Sequence, residues 1–210
     1  MIIGLIGAGN IGSAIARNAV RTGHQVVLSN SRGPETLADL VAELGAAARA
    51  ATAQEAAEAA ELAVVTVPFG KEDQVPVEPL AGKVVIDTDN YYWERDGHHA
   101  DLDEGRQTVA GALQAHLPGS KVVKAFNQIL AGRLAEGGDG RQAIPIAGDD
   151  EQAKATVAEL IRSFGFDVVD AGPLAEGARF DRDQPSYGFE GDADALREKL
   201  AQAVPNPFAG

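Results

Sequence analysis

Gly7, Gly9 and Gly12 have the G-x-G-x-x-G spacing at the point where the apolar run 2–6 gives way to a helical pattern. The chemistry such a loop serves is anion binding. One glycine permits a tight turn, the next lets backbone approach a pyrophosphate without an intervening side chain, and the third lets the new helix lie close on its strand. The unpaired N–H groups and the positive end of that helix then face the anion. A second set of candidates follows at the end of the next strand, where Ser29, Asn30, Ser31 and Arg32 stand in sequence. An NAD-selective site usually has Asp or Glu there to hold the ribose 2′-OH. Hydroxyls, an amide and a guanidinium are donors that suit a phosphate dianion better. The pattern predicts NADP over NAD, with Arg32 pairing with the 2′-phosphate and Asn30 and Ser31 hydrogen-bonding it. The same residues also read as a turn capping the helix that begins at Pro34.

These residues must be positioned by alternating elements. The sequence predicts a strand over 2–6, a helix over 13–21 ended by Thr22 and Gly23, and a strand over 24–28, which together make one βαβ unit. Helical patterns follow over 35–44 and 54–60. The apolar runs 63–67, 83–86 and 122–126 end in Pro68, Asp87 and Asn127 and lack polar alternation, as strands buried on both faces do. The fold class is α/β: a doubly wound, mainly parallel sheet. The segment 131–141 reads as a polar, Gly-rich turn region. A strand over 143–147, a helix over 151–164 capped by Asp149 or Asp150, a strand over 167–170 and a short helix over 193–203 then form a small C-terminal extension. Residues 1–130 are expected to bind the dinucleotide and 131–210 to complete the sheet and the acceptor site, as one continuous body or two.

The chain has 210 residues, a formal net charge of −13 and no cysteine. Disulfides, thiolate metal sites and cysteine nucleophiles are excluded. No basic stripe invites nucleic acid. No apolar run is long enough to span a bilayer, and no secretion signal precedes the fold, so a cytoplasmic protein without a membrane partner is expected. His98 and His99 with Asp101 and Asp103 lack convergent metal spacing and read as a solvated loop, so no metal is expected. His24 reads as a packed turn residue and His116 as a helix-end cation.

The run IGLIGAGNIGSAIARNAVRTGHQVVLSNSR, the strand end VVTVP, KVVKAFN, and IPIAGDDEQAK with ELIRSFGFDVVDAGPLAEGAR together resemble the coenzyme F-420-dependent NADP oxidoreductase family. That family also resembles the cytosolic domain of the six-transmembrane metalloreductases. The resemblance covers most of residues 1–180. It implies a Rossmann-type NADP-binding domain, a homodimer, and hydride transfer between nicotinamide C4 and a small flavin-like or deazaflavin acceptor such as coenzyme F-420. Carried onto this chain, Gly7, Ala8, Gly9, Asn10, Ile11 and Gly12 hold the pyrophosphate, and Ser29 to Arg32 the 2′-phosphate. Val67, Pro68 and Phe69 line the nicotinamide ribose, and Phe126 and Asn127 neighbour the ring. The chain departs from the family pattern after DAGPL, where ARFDRDQPSYGFEGDAD replaces an apolar helix, and at DNYYWERDGHHADLDEG. In the latter, Tyr91, Tyr92 and Trp93 read either as an acceptor-stacking surface or as a dimer contact or packed loop.

Hydride transfer between two ring systems asks little of side chains, and no general acid is assigned. A carbonyl or imine substrate needs a proton donor, for which Tyr91, His98 and Tyr187 are candidates. The alternatives to a flavin-like acceptor are an NADPH-dependent carbonyl or imine reductase and a non-catalytic NADP(H)-sensing protein.

Overall fold

The computed structural model describes residues 1–204. The chain runs β1 (Ile2–Ile6), α1 (Asn10–Arg21), β2 (Gln25–Ser29), α2 (Ala38–Leu44), β3 (Ala48–Ala50), α3 (Ala53–Ala59), β4 (Leu62–Val65) and β5 (Val84–Asp87). It continues through α4 (Trp93–Asp96), α5 (Ala100–Asp103), α6 (Val109–His116), β6 (Lys121–Lys124), α7 (Ala131–Glu136), β7 (Ala143–Gly148), α8 (Glu151–Ser163), β8 (Asp167–Asp170) and α9 (Ala193–Ala201). The described strands form one eight-stranded sheet in the order β3-β2-β1-β4-β5-β6-β7-β8. β1 to β6 are parallel, with Leu5 beside Leu28 and Val64. β7 runs antiparallel to β6 and is followed by a parallel β8. The sheet is the doubly wound, mainly parallel Rossmann-type arrangement expected from the sequence.

Burial on both faces explains the uninterrupted apolar strands. Ile3, Leu5, Leu28, Val64 and Ile86 are buried in a cluster that also holds Ile144, Ile161 and Phe166. Residues on either side of position 130 therefore share one core, and α7 is fastened to α1 through buried Asn18, whose Nδ2 donates to Ala14 O and Leu134 O at 2.9 and 2.7 Å. Each fully buried aliphatic side chain of this kind contributes about 1.5–3 kcal/mol. The last six residues of the expected extension, 205–210, lie outside the described ones.

Local chemistry sets the helix starts. Thr52 Oγ1 accepts from Glu55 N while Thr52 N donates to Glu55 Oε2, a reciprocal capping box that opens α3. Asp150 Oδ1 accepts from Ala153 N at 2.8 Å and resolves the choice of cap for α8.

Several boundaries differ from expectation. α1 begins at Asn10 rather than 13, because the glycine loop closes its turn earlier. The first turn of the helix expected over 35–44 is a 3-10 turn, Pro34–Leu37. The 131–141 segment contains α7, which the glycines obscured. β3 was not expected: three residues rich in alanine carry little strand signal, and they pair at the sheet edge through register with Val26, Val27 and Leu28. β6 ends at Lys124, and Phe126 turns away from the strand direction with φ of 63°. No helix among the described residues is long and apolar enough to cross a membrane.

Candidate functional site

The glycine loop connects β1 to α1 at the carboxyl edge of the sheet, where the strand order reverses between β1 and β4. In open α/β sheets ligands bind at that reversal. Gly7 has φ of 105°, and a Cβ there would lie 2.5 Å from Thr66 Oγ1. Thr66 Oγ1 in turn donates to Gly7 O at 2.7 Å, which fixes the loop against β4. A Cβ on Gly12 would stand 2.4 Å from Gly7 O, so that glycine serves the close packing of helix on loop. Gly9 is different: a Cβ there meets nothing within 4 Å. The space above Gly9 is open and lies where two clefts meet. α6, α8 and α9 each open with a side chain capping an early amide. α1 opens on Gly9 with no side-chain cap and no acid in its first turn. It shares the missing cap with α2, α4, α5 and α7, but α1 alone among these opens on the glycine loop at the cleft.

Two clefts meet over this loop and share Gly9, Thr66, Val67 and Pro68. The first, about 540 Å³, runs over β2 and is lined by Ser29, Asn30, Ser31, Arg32, Ala53 and Gln74 as well as Ile6, Gly7 and Ala8. The second, about 350 Å³, runs the other way over β5 and is lined by Asn10, Ile11, Gly12, Thr88, Asp89, Asn90, Tyr92 and Arg95. Together they make one groove with the phosphate cradle at its middle.

The four residues closing β2 divide in their duties. Ser29 is buried and its Oγ donates to Leu5 O at 2.8 Å, so its proton is already committed to the sheet. Asn30 organises the turn: its Oδ1 accepts from Arg32 N and its Nδ2 donates to Thr36 Oγ1. The turn reading of this segment thus holds for Asn30. Ser31 and Arg32 are exposed, and the Arg32 guanidinium has no carboxylate or hydrogen-bond partner among the described residues. A lone guanidinium projecting over the cleft is the group best placed to meet a phosphate.

Two expected site residues lie elsewhere. Phe69 is 8% exposed and does not line either cleft. It packs edge-on to Tyr91 and His99 in a small cluster with Leu102 and Val109. Asn127 is buried behind the wall, where its Nδ2 donates to Asn90 Oδ1 at 3.1 Å and Phe180 O at 2.8 Å. Phe126 is likewise buried and stacks near Phe164. The aromatic triplet has three fates. Tyr91 is core and donates to Gly97 O or Asp103 Oδ1. Trp93 is 43% exposed and stacks on His98, outside both clefts. Tyr92 alone lines the groove. Its ring lies between the Arg95 and Arg182 guanidinium carbons, 4.8 and 4.7 Å from its centroid, and its hydroxyl is 2.7 Å from that of Tyr187. Arg182 is held by Glu94, whose carboxyl it pulls down to about 2.

Of the other histidines, His98 Nδ1 meets Asp103 Oδ2 at 2.9 Å and His116 Nε2 meets Val75 O at 2.9 Å. His24 sits beside the chain's first amine, with burial and that positive charge holding its pKa low.

Sequence reasoning missed a group of buried charges under the second cleft. Asp87 at the end of β5 is fully buried, Asp89 is 7% exposed, and Lys124 at the end of β6 is 1% exposed. Lys124 Nζ pairs with Asp181 Oδ1 and donates to Asp89 O at 3.3 Å. Burial pushes Asp87 up to about 6 against the pull of Lys124, and pushes Asp89 and Asp181 upward as well. The signal available was the Asp-x-Asp at the end of an apolar strand and a lysine closing another, both in positions where parallel strands are otherwise apolar.

Fold and groove together are those of a Rossmann-type α/β protein with its cleft at the reversal of strand order. Residues 2–91 match the family model described as NADP oxidoreductase, coenzyme F420-dependent. A hypothetical protein of Sinorhizobium meliloti has a similar crystal structure, with a TM-score of 0.80 and 32% identity over 90% of this chain and 94% of that one. A proposed F420-dependent NADP-reductase of Arthrobacter sp. FB24 superposes with a TM-score of 0.70 and 25% identity, covering 82% and 84% of the two chains. Metalloreductase STEAP3 of Rattus norvegicus is 33% identical over 174 residues, which are 82% of this chain and 34% of that protein. The chain spans about a third of the length of that metalloreductase. The match to the NADP oxidoreductase family model thus lies in the first part of the chain, over the glycine loop and the strands that flank it.

Proposed function

We propose that this protein transfers a hydride between NADP(H) and a flavin-like or deazaflavin acceptor, coenzyme F420 being the deazaflavin for which the matched family model is named. The observation that carries the reading is the second cleft: about 350 Å³ of space beyond the phosphate cradle, walled by Tyr92 and not filled by the protein's own side chains. The residues fit the dinucleotide, because Gly9 leaves its approach open and Arg32 offers an unpaired cation at the far end. When bound, NADPH supplies the hydride. The chain's part is to anchor the 2′-phosphate on Ser31 and Arg32, seat the pyrophosphate on the first amides of α1, and present one face of the second cleft to an acceptor. Val67 and Pro68 border both halves of the groove at the crossing between them.

Homodimerisation and a cytoplasmic setting belong to the same proposal. Sedimentation of the purified protein at one chain's mass would remove the dimer. The activity is tested by stopped-flow absorbance of NADPH oxidation with coenzyme F420, FMN and riboflavin offered in turn. Saturable turnover with one of them is expected; tight NADPH binding with turnover of none contradicts the reading.

A further inference from the structure

The buried charges under the second cleft do not balance. Asp87, Asp89 and Asp181 supply three carboxyl groups, and Lys124 is the one ammonium among them. Three carboxylates crowded around a single cation out of water repel one another, and the inexpensive solution is for a proton to stay. Two atoms mark where the arrangement is unfinished. Asp87 Oδ1 accepts from Asp89 N at 2.9 Å, while its Oδ2 is buried without a partner. The Asp89 carboxyl takes no hydrogen bond or ion pair from any described residue, and the small part of Asp89 left uncovered lies in the wall of the cleft. A side chain more than nine-tenths buried, with its polar end unengaged by the protein and open to the groove, is placed for a ligand. The remaining charged groups that face it are Glu72, which adds to the repulsion, and Arg95, which opposes it.

We propose that Asp89 takes up a proton as the dinucleotide is seated, holds it toward the cleft, and delivers it to the acceptor as the acceptor takes up a hydride. The inference rests on the hydride-transfer reading above. Reduction of a flavin-like ring needs two electrons, one hydrogen carried with them, and one proton. Hydrogen and both bonding electrons pass from nicotinamide C4 to the acceptor, which is reduced while NADPH is oxidised to NADP⁺. The acceptor nitrogen or oxygen made basic by those electrons takes the proton as the Asp89 O–H bond breaks. Asp89 is left as a carboxylate, which Lys124 stabilises from behind, and water entering the cleft returns a proton to it. A neutral Asp89 also removes a charge that would otherwise oppose the pyrophosphate seated on Gly9 to Gly12, so dinucleotide binding draws a proton onto the cluster. Tyr91 and His98 are tied to Asp103, the Tyr187 hydroxyl is paired with that of Tyr92, and none of the three lines the cleft, which leaves the task to a residue no motif announces.

Titration calorimetry of NADP⁺ binding, run at pH 7 in buffers of differing ionisation enthalpy, reads the proton directly. Net uptake is expected in the native protein and is lost in Asp89→Asn, with NADP⁺ affinity within about threefold of native. The same variant should lose 100-fold or more of turnover with whichever acceptor is reduced, and the fall of native turnover with rising pH should disappear. Dinucleotide binding without proton uptake, or an Asp89→Asn protein with native turnover and pH profile, overturns the proposal. Absence of NADPH binding altogether would instead defeat the functional reading on which it stands. Should Asp89→Asn fail to fold, Asp89→Ser is measured in its place, and native proton uptake and turnover in that variant overturn the proposal.

Discussion

The two halves of the groove are built by opposite means. Over β2, Ser31 and Arg32 stand exposed on a turn organised by Asn30, free of partners and consecutive in sequence. Over β5, the working groups come from separated segments: buried Asp87 and Asp89 from one strand end, buried Lys124 from another, and half-buried Asp181 from beyond β8. The first half can recognise a charge that arrives with the ligand, because its donors stay solvated until then. The second half keeps charge and proton out of water in advance, which suits a place where charge changes during a reaction. Recognition of an anion requires only local residues, whereas a pre-set electrostatic site requires the finished fold.

The comparison is broken most forcefully at the cradle between the halves. Gly9→Val adds side-chain atoms into the open space above the loop, and NADPH affinity should fall by about 100-fold or more while stability changes by only about 1 kcal/mol. Gly12→Val should instead damage the fold itself, since its Cβ would collide with Gly7 O. Fluorescence titration of NADPH beside thermal melts separates the two; equal behaviour would remove the distinction between ligand space and packing space. Arg32→Asp comes next. NADPH binding should weaken by about 10–100-fold with NADH binding little changed, from the loss of a charge-assisted phosphate contact. Equal loss of both nucleotides would take the 2′-phosphate away from this turn.

The third variant probes the buried half. Asp87, raised to about 6, binds its proton more tightly folded than unfolded. Its contribution to stability is therefore present below the ordinary value of 3.8 and declines as pH rises toward about 6, remaining lost above it. Asp87→Asn should remove about 1–3 kcal/mol of this decline, read as the difference between native and variant denaturation curves across that window. A constant difference would mean the cluster does not hold its proton. The smallest effect is expected from Tyr187→Phe, which breaks the hydroxyl pair with Tyr92: about 1 kcal/mol of stability and a modest rise in acceptor KM, with NADPH affinity unchanged.

Legibility in the sequence follows the same division. The mainly parallel sheet and the glycine loop were readable because parallel strands are continuous apolar runs and Gly7, Gly9 and Gly12 fall within one short segment. β3 was not, because Ala48–Ala50 becomes a strand only through pairing with β2. α7 was hidden by the glycines that follow it. Pro68 lines both clefts, whereas its neighbour Phe69 packs into the cluster with Tyr91. Asn127 was one layer too deep, bonded to Asn90 rather than open to the groove. Asp89 passed unremarked because nothing in its own segment shows that Lys124 and Asp181 will lie beside it.

The central claim is that one NADP(H) runs the length of the groove, and a crystal structure of the NADP⁺ complex tests it most directly. The 2′-phosphate is expected at Ser31 and Arg32, the pyrophosphate over Gly9, and the nicotinamide between Thr88 and Tyr92 with one face toward Asp89. A 2′-phosphate away from Arg32, or a nicotinamide lying outside the second cleft, would contradict it.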